Sequence, residues 1–589
     1  MARIGHSLLL KGAACVVLAF AGCVQVGSLP MPFMSPSPEQ ELEKSLDIGS
    51  VGDLTEVGNA GPIQVSGVGL VMGLDGTGGT PPSQYRTMLE QQLRKQKIDN
   101  TRALLDNPNN ALVLVNAYLP PGCRKGELLD VEISLPSGSK ATSLKGGILA
   151  ICQLRNFENA KNINPDKANA LLPGHVLAHA SGPLIVGLGS PDDERAMKQA
   201  RIWSGASSHI SRPYYYILTK DEMKSAKVTN TIASRINLQF HDDLRKQRIV
   251  NDHRDLLTAG AATEQLNRTF EAGFGTGDIA KAAGKDVIAV RVPYAYRFNH
   301  ERFLRVSRLL PVSVPPAAMV AYQKKLETIL LDQKHTMRAA LRLEALGKDS
   351  VPVLKAGLAS KNAVVRFCCA ESLAYLGNTA GIEDLGKLAV DHPEFRAYAI
   401  LAMASLDESI CRENLAQLMT TDDPELRSGA FRGLRLLDEN EARLGESTLG
   451  SFALHKVAPE SPPLVTFSTN RRAEIVMFGP SATIKTPVRL LAGGEFTVTA
   501  KDGDDRLTIS RINAKGERCK QCALNLDDAL SAFVDLGADY ADVVDLLRNL
   551  EELRALSCPI REATVPAIEG LEAVLQTETK ETRVKKSDE

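Results

Sequence analysis

The sequence predicts an α+β fold in which a strand-rich body with helices is interrupted by an α-solenoid of HEAT-like repeats. Three patterns carry that expectation. Short β-rich runs separated by Gly and Pro fill residues 112–187, leucines recur about every thirty residues between 325 and 440, and strands followed by two amphipathic helices occupy the chain from Phe467. With 589 residues, 44% hydrophobic and 24% charged, two or three cored domains are expected. Lys plus Arg, 69, nearly cancels Asp plus Glu, 70, so nothing pulls the chain toward nucleic acid or anionic lipid. Recognition is left to shape and local patches.

Residues 1–23 read as a lipoprotein signal. Arg3 and Lys11 precede an apolar run from Ala13 to Ala21, and Phe20-Ala-Gly-Cys23 reads as a lipobox, making Cys23 the lipidated residue. About ten residues separate Lys11 from Cys23, against the roughly 20 that cross a bilayer. Bacterial lipoproteins, which this segment resembles, carry more than one chain on that cysteine, and two chains anchor firmly where one does not. Val24 after the cysteine, rather than an aspartate, points to the outer membrane under enteric-type sorting. Residues 24–46, with Pro30, Pro32, Pro36 and Pro38, form an extended tether.

The densest signal lies at Gly67, Gly69, Gly73, Gly76, Gly78 and Gly79, where a buried-strand pattern runs into glycines too closely spaced for an ordinary turn. Gly73, Gly78, Gly79 and Thr80 match the spacing of a phosphate-binding loop, and a helical segment, Ser83 to Gln96, follows. The loop's lysine is missing, since Gly79 stands there, and Gly67, Gly69 and Gly73 fit no dinucleotide fingerprint. Close backbone packing is the remaining use, through the φ freedom of glycine.

His175 and His179 lack the glutamate of a zinc-protease helix. On a strand their imidazoles stand about 13 Å apart, too far to share an ion. Thr229–Leu244 reads as a helix with Ile232, Ile236 and Phe240 on one face, Asp286–Pro293 as a strand and Arg302–Leu310 as a short helix. The repeat follows. Leu343, Leu373, Met403 and Leu434 recur three residues before Leu346, Leu376, Leu406 and Leu437. Leu358, Leu388 and Leu418 mark a second helix in each unit, and Arg366, Arg396 and Arg427 start the first helices of the later ones. A two-helix unit cannot bury its stripe alone, so about three and a half copies must stack, with a partner-binding surface as the expected use.

Beyond the repeat, Ala473–Phe478, Val488–Leu491, Glu495–Ala500 and Arg506–Arg511 read as strands, the last two joined by a hairpin at Asp502-Gly503. The aspartates of that turn lack the spacing of a calcium loop. Leu526–Leu536 and Tyr540–Leu556 form a helical hairpin broken at Gly537. Cys519 and Cys522 are candidates for a local disulfide or free thiols; neither a second C-x-x-C nor paired histidines complete a metal site, and no cofactor is expected. Cys368, Cys369 and Cys411 fall on apolar helix faces, where buried thiols are the default.

Five strings occur in order: Gly67-Val-Gly-Leu-Val-Met-Gly-Leu-Asp-Gly-Thr-Gly79, Ala111-Leu-Val-Leu-Val-Asn-Ala-Tyr-Leu-Pro-Pro-Gly122, Gly126-Glu-Leu-Leu-Asp-Val-Glu-Ile-Ser134, Ser143-Leu-Lys-Gly-Gly-Ile-Leu149 and Ala180-Ser-Gly-Pro-Leu-Ile-Val-Gly187. Together they resemble the bacterial flagellar P-ring protein family across about residues 47 to 315, and the C-terminal helical hairpin resembles that family's last segment. The resemblance implies a non-enzymatic subunit of a homo-oligomeric periplasmic ring around the flagellar rod, beside neighbouring ring proteins and with peptidoglycan as a further candidate partner. It also makes the repeats an insertion. The implied organisation is a P-ring-like body at 47–320, HEAT-like repeats at 325–440, a P-ring-like C-terminal part at 446–575 and a charged, disordered tail at 576–589. Two features depart from the family, the lipid anchor and the repeats. They leave a second reading open, an envelope lipoprotein scaffold that keeps the fold and binds a protein or glycan partner through its repeats.

Overall fold

A computed structural model describes residues 48–566 apart from 80–82, 96–97, 99, 160–170, 189–192, 242–273, 275–276, 439, 471 and 514–515. Cys23, the tether and the charged tail lie outside the described residues. Strand β1 (Thr55–Gly58) follows a single helical turn at Val51–Leu54. The next strands close into an antiparallel barrel: β2 (Ile63–Met72), β3 (Ala111–Leu119), β4 (Leu128–Ser134), β5 (Ile148–Asn159), β6 (Leu171–Pro183) and β8 (Gln199–Ser208) pair in the order β4-β3-β2-β5-β6-β8, and β8 returns to β4. The two-residue β7 (Ile185–Val186) lies against β8. Alternation along β3 and β4 sends Val113, Val115, Val131 and Ile133 into the interior. Outside, helix α1 (Ser83–Lys95) lays Leu89 and Leu93 over Val68, Leu70 and Leu112.

A smaller sheet, β1-β9-β11-β10, is completed by β9 (Tyr214–Leu218), β10 (Ala280–Ala282) and β11 (Val287–Val290). Helix α2 (Ala226–Gln239) packs on it, and α3 (His300–Arg308) follows. The sequence placed α2 at Thr229–Leu244. It starts earlier because the Ser225 hydroxyl accepts from the Val228 N–H, and it ends at Gln239 because Phe240 turns extended to stack on Tyr296 and Phe303.

The helical array then runs through α4 (Pro316–Leu330), α5 (Thr336–Leu346), α6 (Val351–Gly357), α7 (Ala363–Tyr375), α8 (Ile382–Asp391), α9 (Arg396–Leu406), α10 (Ser409–Leu418) and α11 (Pro424–Leu437). Helices α5, α7, α9 and α11 stack in series, while α6, α8 and α10 each pack on the helix that follows. Leu343, Leu373, Met403 and Leu434, at equivalent places in the four stacked helices, are fully buried. Phe367 and Phe395 stack between units with centroids 4.3 Å apart.

The C-terminal part has its own core and two sheets. One, in the order β12-β13-β15-β14-β20, contains β12 (Glu446–Leu449), β13 (Phe452–Val457), β14 (Leu464–Phe467), β15 (Glu474–Phe478) and β20 (Ile560–Glu562). The other is a meander of β16 (Val488–Ala492), β17 (Phe496–Ala500), β18 (Arg506–Asn513) and β19 (Gly516–Ala523). Helices α12 (Leu526–Asp535) and α13 (Tyr540–Glu552) fill the space with Leu530, Phe533, Val543 and Leu547. Strands β12 to β14 escape the sequence pattern, because Phe452–Val457 is buried on both faces and shows no alternation. Helix α13 stops at Glu552 rather than Leu556, since Arg554 takes a positive φ and the chain turns so that Leu556 and Ile560 join the core.

Among the described residues no strand pairing links the barrel to these sheets, and side chains make the joints. Arg302 of α3 inserts between Glu344 of α5 and Glu371 of α7, with 2.6 Å to each carboxylate and all three side chains buried. Tyr296 donates to Glu344 at 2.7 Å, and the guanidinium lies 4.7 Å from the Tyr375 ring centre. At the far end Arg427 donates to the Pro462 carbonyl, and Arg435 pairs with Glu474. An Arg302→Met substitution leaves two carboxylates buried without a counter-charge. The expected loss is about 3–5 kcal/mol in urea unfolding, against less than about 1 kcal/mol for the exposed Arg305→Met.

Candidate functional site

The glycine segment begins inside the barrel wall. Gly67 and Gly69 share the inward face of β2 with Val65 and Val71, and a methyl at either would collide with β5 or β3. At Gly67 the Gln153 carbonyl and the Cys152 sulfur stand in the way, and at Gly69 the Leu149 side chain at 2.8 Å and Val115 at 3.0 Å. These two glycines let neighbouring side chains fill a narrow interior.

Past β2 the chain turns at Gly73 and Gly76, with φ of 83° and 76°. Four of the loop's amides are committed to residues 108–110. Leu74 N–H donates to the Asn109 carbonyl at 2.9 Å, Gly76 N–H to the Asn109 side chain at 3.0 Å, Gly78 N–H to Pro108 at 2.8 Å and Gly79 N–H to Asn110 at 3.1 Å. A phosphate cradle needs those donors free, so the geometry adds a second reason to reject nucleotide binding to the missing lysine.

The other side of this loop supports residues 140–147. Thr142 N–H donates to the Thr77 carbonyl at 2.8 Å, the Thr77 hydroxyl donates to the Ser143 carbonyl at 2.9 Å, and Gly79 packs on Lys140. This second loop presents Lys145 to Asp542 of α13, Nζ to Oδ1 2.6 Å. Burial, and then the neighbouring Asp539, lift the Asp542 carboxyl to about 6. Burial opposes the Lys145 charge, but Asp539 and Asp542 outweigh it and hold its pKa above the usual lysine value. Beside this pair Ile185 and Leu188 pack on the C-terminal core. Lys145 lies within a string read for its glycines, and no local pattern marks Asp542 as its partner across 397 positions.

His175 and His179 do lie on a strand, β6. They do not meet; His179 instead meets His209 at the end of β8, Nδ1 to Nε2 2.5 Å. Among the described residues no group of three or more His, Cys, Asp or Glu could hold a metal ion. Burial lowers both imidazoles from the ordinary 6.5, with Arg155 adding to the effect on His179, and the facing His179 and Lys125 helping to take His209 to about 4.

Of the two alternatives for Cys519 and Cys522, a local disulfide or free thiols, β19 holds the second. Three positions apart on a strand, the two side chains face opposite ways, and their Cα atoms are about 10 Å apart, beyond the roughly 7 Å a disulfide spans. Both are free thiols, Cys519 opposite Ser510 and Cys522 opposite Leu507. Cys368, Cys369 and Cys411 are buried and free.

Two outcomes are expected. Gly69→Val overpacks the barrel and costs about 1–3 kcal/mol in chemical denaturation. At His209 the unfolded chain takes up a proton near 6.5 while the folded chain resists until about 4, so stability falls as pH drops through that window. The melting temperature of His209→Gln, measured from pH 7 to 4.5, should decline less steeply than that of the unaltered protein.

Residues 50–341 match the family described as flagellar P-ring protein. The chain is 27% identical over 299 residues to flagellar P-ring protein 2 of Chromobacterium violaceum, covering 48% of this chain and 68% of that one. It is 26% identical over 322 residues to the flagellar P-ring protein of Oleidesulfovibrio alaskensis, 53% and 72% of the two chains. The flagellar P-ring protein of Aquifex aeolicus is 30% identical over 272 residues, 45% and 62%. The matched stretch contains the barrel, the smaller sheet and the start of the helical array, and through it this chain belongs to the flagellar P-ring protein family.

Proposed function

We propose that this chain is a structural subunit of the flagellar P ring, a basal-body component of the periplasmic envelope. The family is structural and non-enzymatic, and the chain acts by assembling, without chemistry. Copies join head to tail into a closed ring that serves as a bushing around the rod. Such a ring needs two different faces on each subunit and a rotation between neighbours that sums to a full turn. The observation that carries this reading is the family match across the whole barrel and its glycine-built loop pair. In this reading the HEAT-like repeats at 325–440 decorate the ring, the part at 446–575 belongs with the barrel as the ring-forming body, and the lipid on Cys23 tethers the assembly to the outer membrane.

One observation favours a second reading. The family match ends at residue 341, so α6 to α11 lie beyond it. A lipoprotein scaffold that recruits an envelope partner through those helices accounts for them without a rod. Clean deletion of the gene, with a swimming assay and imaging of basal bodies, separates the two. Loss of motility together with the ring around the rod is expected; cells that swim with that ring intact would rule out the ring reading.

A further inference from the structure

The helical array is charged unevenly along its length. Residues 316–366 carry nine Lys or Arg against four Asp or Glu, and residues 367–445 carry seven against fourteen. The repeat places these charges at equivalent edges. Lys361 follows α6, in the turn where Asp391 ends α8 and Asp422 follows α10; Lys348 precedes α6, where Glu383 begins α8 and Glu408 precedes α10. Both edges therefore change from basic to acidic in the same direction. Lys324, Lys334, Lys348, Lys355 and Lys361 are exposed and enter no ion pair among the described residues, and the same holds for Glu383, Asp391, Glu408 and Asp422. Other charges of the array are used internally, as when Arg396 pairs with Asp423 and Arg412 with Asp407. The basic end also exposes Val320 of α4 and Leu331 just beyond it, by 58% and 64%.

We propose that the array docks a second copy of this chain, the basic end of one copy, α4 to α6, lying on the acidic stretch of the next, α8 to α10. This rests on the ring reading above. Matching like ends would bring lysine to lysine and carboxylate to carboxylate, so charge favours the head-to-tail arrangement, which is the kind of contact that closes a ring. The occupant follows from complementarity, because one chain carries both members of the matching pair. The array then forms a belt of contacts between subunits in addition to those of the barrel.

The test uses the full-length protein purified in detergent, with folding checked by circular dichroism. One variant carries Lys324→Glu, Lys348→Glu and Lys361→Glu; the other carries Glu383→Lys, Asp391→Lys and Glu408→Lys. Each alone should lose about tenfold or more in association constant, measured by analytical ultracentrifugation at low salt. An equimolar mixture should recover assembly, since alternating copies restore both charge matches. Wild-type assembly should weaken with added salt, as screening shortens the reach of these charges to about 10 Å at 0.1 M. Should a triple variant fail to fold, single Lys361→Gln and Asp391→Asn variants provide the same comparison. Variants that assemble like the wild type, or a mixture that does not recover, overturn the docking alone. A wild-type protein that stays monomeric overturns the ring reading and this proposal with it.

Discussion

The buried guanidinium of Arg302 is the constraint on which the arrangement of the molecule depends. It leaves water completely and is compensated only when Glu344 and Glu371, from two different helices, both reach it. Burial raises the Glu371 carboxyl above the usual carboxylate range, and the Arg302 guanidinium opposes part of that rise. A buried triad adds less to stability than its short distances suggest, because the desolvation cost is large. Its value lies in specificity, since any other seating of the first repeat on α3 would strand a charge. Tyr296 and Tyr375, buried and stacked on each other beside it, add apolar surface to the same joint.

The opposite joint uses the same economy of one cation. Lys145 enters a group of carboxylates at the start of α13, and the loop that carries it is held by Thr77 and Gly79 of the glycine segment. The glycines thus act in series. Two admit side chains into a narrow barrel, two turn the chain, and two let it pass close to residues 108–110 and 140–141. The result is a rigid base from which a single lysine reaches the C-terminal part.

Much of the fold was legible in the sequence because its signals are local. The thirty-residue period of Leu343, Leu373, Met403 and Leu434 gave the helical units directly, since a stacked helix must bury the same position in every copy. The Asp502-Gly503 hairpin and the Gly537 break are set by residues within a few positions of each other. Closure of the barrel was not legible, because the β4–β8 pairing joins strands some seventy residues apart and leaves no mark in either. The pairs His179 with His209 and Lys145 with Asp542 were hidden for the same reason. For Cys519 and Cys522 the sequence left a disulfide and free thiols open, and the strand beneath them, which turns the two side chains apart, decides for free thiols.

By itself the sequence determined the period of the stacked helices, the hairpin of β17 and β18, and that the glycine loop lacks the lysine of a nucleotide site, since each of these rests on neighbours along the chain. Only the tertiary structure decided where charge is buried, which strand closes the barrel and which loop meets α13. Desolvation and strand pairing depend on what arrives from distant parts of the chain, and a side chain carries no record of its partner until the fold has brought the two together.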